Sequence, residues 1–101
     1  MLFTAHTPIL VWEIEGKARF LLRHWADECA VYDNVTGDTH LLEPVGVEVL
    51  LALQQAPASA DLLCKRVASR FETEPNAEFS SMLEAVLIDF ERLALIRRTP
   101  Q

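Results

Sequence analysis

The chain predicts an α+β fold in which a small antiparallel sheet of three to four strands precedes three helices. Two observations carry this. Hydrophobic residues in the first half fall in short β-branched and aromatic runs divided by turn residues, and after Glu43-Pro44 their spacing lengthens from two to between three and four. With 101 residues, half of them apolar, the chain supports one core, so residues 1–101 are expected to form a single domain with strands over about 9–42 and helices over about 44–96.

Ile9-Leu10-Val11-Trp12-Glu13-Ile14 is the first predicted strand, ending near Gly16, and Arg19-Phe20-Leu21-Leu22-Arg23-His24-Trp25 is the second. Cys29 to Asp33 pairs with Asp38 to Leu42 across Asn34-Val35-Thr36-Gly37, where Gly37 can supply the positive φ of a bulged hairpin loop. Pro44 suits a first helical turn, and Val45, Val49, Leu50 and Leu53 make a stripe for a helix reaching about Gln55. Pro57-Ala58-Ser59 breaks it. Ser59 is a natural cap for a second helix with Leu62, Leu63, Val67, Ala68 and Phe71 inward and Lys65, Arg66 and Arg70 outward. Thr73-Glu74-Pro75-Asn76 precedes a long amphipathic helix from Asn76 to Ile96, with Phe79, Met82, Leu83, Val86, Leu87, Phe90, Leu93 and Ala94 inward. Arg97 to Gln101 is left as a tail. Two short helices and a longer one beside a small sheet describe a winged-helix-like layout.

Composition removes several function classes. Nine Lys plus Arg against fifteen Asp plus Glu give a net charge of −6, which opposes attraction to phosphate backbones and anionic lipid. No apolar run reaches the ~20 residues of a membrane span, and two widely separated cysteines, Cys29 and Cys64, are expected as reduced thiols in a cytoplasmic protein. His6, His24, His40 and the cysteines lack metal-ligand spacing, so neither a metal nor a cofactor is expected. Asp33, Asp38 and His40 surround one turn, where Asp serves as an acceptor for local backbone donors rather than as an acid or base. No phosphate-cradling glycine loop or nucleophile elbow is present, so no enzymatic activity is expected. Trp12 and Trp25 are expected as core or interface anchors. The apolar segment from Met1 to Trp12 is expected to dock on its own sheet or on a second copy, giving a homodimer, and such a strand would also suit the open edge of the hairpin.

From about Phe20 to Ile96 the chain resembles the PqqD-like peptide chaperones, also called RiPP recognition elements, and within them the branch associated with HPr-kinase-related gene systems. The residues that carry the likeness are the Trp-ended strand, Val31-Tyr32-Asp33, and above all Thr36-Gly37-Asp38-Thr39-His40-Leu41-Leu42-Glu43-Pro44. Many members have Asn where Glu43 stands. The resemblance implies binding without chemistry: a precursor's leader peptide adds as a strand to a sheet edge, lies against the third helix, and is presented to a modifying enzyme. Mapped here, the edge is Asp38, Thr39, His40, Leu41 and Leu42. The facing helix offers Leu83, Val86, Leu87 and Phe90, with Glu84 and Glu91 as an acidic rim that would favour a Lys- or Arg-bearing peptide. Two alternatives are a winged-helix nucleic-acid-binding regulator, opposed by Glu78, Glu84, Asp89 and Glu91 on the would-be recognition helix, and a non-catalytic regulatory subunit of a kinase-like partner.

Overall fold

In a computed structural model, which describes residues 10–15, 20–25 and 28–100, strands β1 (Leu10–Ile14), β2 (Phe20–Trp25), β3 (Glu28–Asp33) and β4 (Thr39–Leu42) precede helices α1 (Pro44–Gln55), α2 (Ala60–Arg70) and α3 (Ala77–Arg92), and β5 (Ile96–Pro100) closes the order. The class is α+β, consistent with a winged-helix-like arrangement. Two antiparallel sheets form, β2-β3-β4 and β1-β5, where the sequence predicted one. β1 leaves the expected sheet because β5, read as a tail, supplies its partner: Trp12 lies opposite Arg98 and Glu13 opposite Arg97. Side-chain chemistry follows this register. The Arg97 Nε donates to Glu13 at 2.8 Å, and the Arg98 guanidinium sits 5.0 Å from the centroid of the Trp12 ring while donating twice to the Glu91 carboxylate of α3.

Trp12 also exchanges backbone hydrogen bonds with Ala58 between α1 and α2, at 2.8 and 3.0 Å, so β1 is held on both sides. Its indole is buried, which makes it a core residue. The expected docking of the N-terminal segment is therefore intramolecular for Leu10–Ile14, and it falls on β5 rather than on the hairpin edge. Met1 to Ile9, the His6, Gly16 and Arg19 readings, and the side chains of His24 and Trp25 lie outside the described residues.

The hairpin is built by local chemistry. Asp33 is 1 % exposed, and its Oδ1 accepts from the Val35 and Thr36 amides at 2.9 and 3.3 Å, while Gly37, at φ 79°, donates its N–H to the Asp33 carbonyl. Helix starts follow the sequence: Pro44 opens α1, the Ser59 hydroxyl accepts from the Leu62 amide, and the Asn76 amide oxygen accepts from the Phe79 amide. Helix ends do not. α3 stops at Arg92 rather than Ile96, because Leu93 caps it and Ala94 turns left-handed at φ 59°. The Leu95 amide then reaches the Phe90 carbonyl and the Ala94 amide the Glu91 carbonyl, a Schellman motif. α2 ends the same way at Glu72, φ 54°, with Thr73 N–H to Ala68 and Glu72 N–H to Ser69.

The core gathers Trp12, Val31, Val49, Leu50, Leu53, Leu63, Val67, Leu83, Leu87, Phe90, Leu95 and Ile96. Leu62, Phe71, Met82, Leu93 and Ala94, expected inward, are exposed; Phe71, Leu93 and Ala94 lie past the ends of their helices. Cys29 and Cys64 are buried as thiols, and burial pushes the Cys29 thiol up from its ordinary value. No helix among the described residues is long and apolar enough to cross a membrane.

Candidate functional site

Among the described residues β4 is an edge strand, hydrogen-bonded to β3 on one side only. Which of its backbone groups face outward follows from the turn. The Asp33 amide donates to the Asp38 carbonyl at 2.8 Å, and an antiparallel ladder alternates hydrogen-bonded and open pairs, so Val31↔His40 and Cys29↔Leu42 are the bonded pairs in this register. Thr39 and Leu41 therefore turn their N–H and C=O groups away from β3. Leu41 is also 70 % exposed through its side chain.

Beside this edge runs a cleft of about 230 Å³, lined by His40, Leu41, Leu42 and Glu43 from the strand end, Gly46 from α1, and Val86, Asp89, Phe90 and Leu93 from α3. Val86, Asp89 and Phe90 of α3 and Leu93 at its C-cap stand at i, i+3, i+4 and i+7, one continuous face. Gly46 lies against the Phe90 side chain: a methyl group at its Cα would stand 2.9 Å from the Phe90 Cζ. Glu43 precedes Pro44 as the N-cap residue of α1, but its carboxylate makes no capping hydrogen bond, and the residue lines the cleft. Asp89 is the second carboxylate there, with Arg92 at 3.9 Å on the outer surface.

Of the residues singled out from sequence, the structure brings His40, Leu41, Leu42, Val86 and Phe90 together at this cleft, and Thr39 onto its edge. Asp38 precedes the strand and serves the turn. Leu83 and Leu87 are each 1 % exposed and belong to the core. Glu84 is exposed but stands about 160° around α3 from Val86, and Glu91 faces β5 through Arg98, so neither rims the cleft. Sequence reading missed Glu43 as a lining group, Gly46, Asp89 and Leu93. The 3.6-residue period of α3 would have found Asp89 and Leu93 had the stripe been centred on Val86 rather than on its most apolar positions. Among the described residues no group of three or more His, Cys, Asp or Glu side chains could hold a metal ion.

No protein-family model matches the chain, and no curated protein does. Among solved structures, the chain is similar to TbiB1 in complex with the TbiA(beta) leader peptide, with a TM-score of 0.65 over 84 % of this chain and 94 % of that one, at 15 % sequence identity. At that identity the likeness is one of fold.

Proposed function

We propose that the chain is a PqqD-like peptide-recognition module that captures an extended segment, a precursor's leader or a partner protein's tail, by strand addition to β4 and presents it to a modifying enzyme in the cytoplasm, with no chemistry of its own. The observation that carries this reading is the open β4 edge lying beside an apolar cleft floored by Gly46 and walled by Val86, Phe90 and Leu93. A peptide strand would bond to the outward groups of Thr39 and Leu41, and every second side chain would enter the cleft. Glu43 and Asp89 would select for Lys or Arg near the anchoring residue. The fold shared with a protein solved with a leader peptide supports the same reading.

The test is selection from a peptide display library, followed by amide-shift mapping of a selected peptide on isotope-labelled protein. Strand addition predicts perturbation of Thr39–Leu42 and of the α3 face from Val86 to Leu93, enrichment of basic residues among the selected peptides, and loss of binding in a folded Val86→Asp variant. Perturbations centred elsewhere, or binding untouched by Val86→Asp, would overturn it.

A further inference from the structure

On the far side of α1 lies a larger open groove, of about 710 Å³, between α1 and α2. It is lined by Glu48, Leu51, Ala52, Gln54 and Gln55 of α1 and by Lys65, Arg66, Val67, Ser69 and Arg70 of α2. At about 100° per residue, Glu48, Leu51, Ala52 and Gln55 stand on the face of α1 opposite Gly46, so the groove and the β4–α3 cleft lie on opposite sides of one helix. Their charges are opposite as well. Among the described residues the groove carries Lys65, Arg66 and Arg70 against Glu48 alone, in a chain whose net charge is −6.

We infer that this groove docks an acidic amphipathic segment of a partner protein, independently of what the cleft binds. Leu51, Ala52 and Val67 supply an apolar floor, and Leu62, exposed three residues before Lys65 and four before Arg66, adds an apolar side chain beside those two cations. Lys65 and Arg66 stand exposed for carboxylates at the rim, while Arg70 pairs with Glu48 at 3.2 Å across the groove. A polynucleotide fits worse. Its affinity comes from many phosphate contacts, whereas here three cations share the groove with a carboxylate on an otherwise acidic molecule. Because the two sites back onto opposite faces of α1, one chain can hold a basic peptide in the cleft and an acidic partner in the groove at once.

The experiment titrates the isotope-labelled full chain with a synthetic amphipathic helical peptide of Glu, Leu and Ala, with the same peptide carrying Gln for Glu, and with a mixed-sequence single-stranded DNA oligonucleotide. The expected result is amide shifts confined to Leu51–Gln55 and Leu62–Arg70 with the Glu peptide, weakening with added salt and absent with the Gln peptide. Lys65→Glu/Arg66→Glu should weaken binding roughly tenfold with the circular dichroism spectrum unchanged. The neutral pair Lys65→Gln/Arg66→Gln, which tolerates any folding cost of the reversal, should lose an intermediate amount. No shifts, equal shifts with the Gln peptide, or shifts centred on Thr39–Leu42 would overturn the assignment. Oligonucleotide binding at the same residues with equal or greater affinity would overturn it in favour of a nucleic-acid surface.

Discussion

Ala94 holds a backbone conformation that favours glycine, and the structure makes its replacement by Gly stabilising. With φ at 59°, its Cβ crowds the backbone at a cost of about 1–2 kcal/mol for an L-residue. Gly removes that cost but gives the unfolded chain more freedom, which takes back about 0.4–1 kcal/mol. Ala94→Gly should therefore raise stability by roughly 0.5–1 kcal/mol, or about 2–8 °C in Tm for a chain of this size. The control is the same substitution at Ala85, exposed within α3, where Gly costs about 1 kcal/mol in helix propensity and Tm should fall by about 4–8 °C. Thermal and urea unfolding followed by circular dichroism, with unchanged urea slopes, would measure both. One chemical change thus has opposite signs at two sites, one within α3 and one just past its end. If Ala94→Gly destabilises as much as Ala85→Gly, the left-handed cap does not set the end of α3, and the route into β5 needs another cause.

Other expectations follow from the site and the turn. Leu41→Pro removes an outward amide and spares the bonded pairs of β4, so the protein should stay folded, by circular dichroism, while a strand-adding peptide loses about tenfold or more in affinity by calorimetry. Gly46→Ala forces its methyl onto Phe90, a residue only 6 % exposed; an overpacking cost of about 1–3 kcal/mol outweighs the ~1 kcal/mol gained in helix propensity, so Tm should drop, and the Phe90 ring, pushed from Gly46, should change the shape of the cleft. Asp33→Ala should cost about 1–3 kcal/mol in urea unfolding by stranding the Val35 and Thr36 amides, with Asp33→Asn recovering part of the loss through its retained oxygen. Cys29 and Cys64 should react with a colorimetric thiol reagent at mildly alkaline pH only after denaturant is added.

How far the sequence could be read depended on the range of the interaction. The β3–β4 hairpin, Pro44 and the Ser59 and Asn76 caps were legible because each is settled within a few residues. The ends of α2 and α3 were not, since the usual marker of a left-handed cap is Gly and here Glu72 and Ala94 occupy it. β5 was invisible for a different reason: Arg97-Arg98-Thr99-Pro100 has no apolar alternation, and only its pairing with β1 makes it a strand. At the candidate site, apolarity alone drew the eye to Leu83 and Leu87, which the core consumes, and away from the half-buried margin of α3 where Val86 and Asp89 meet the strand edge.

The β1–β5 ribbon carries a consequence for the order of folding. Its register joins Leu10 to Pro100, so almost the whole chain must be looped before the first of its bonds can form. Loop-closure entropy makes such a contact a poor nucleus, whereas the Asp33–Asp38 turn closes within six residues. The hairpin edge and the three helices can therefore assemble first, with the ribbon closing behind them as a late clasp. Because Arg98 grips both Trp12 and Glu91, the clasp reaches α3 directly. The helix that walls the cleft is thus tied, through Arg98, to a ribbon that joins the first described strand to the last.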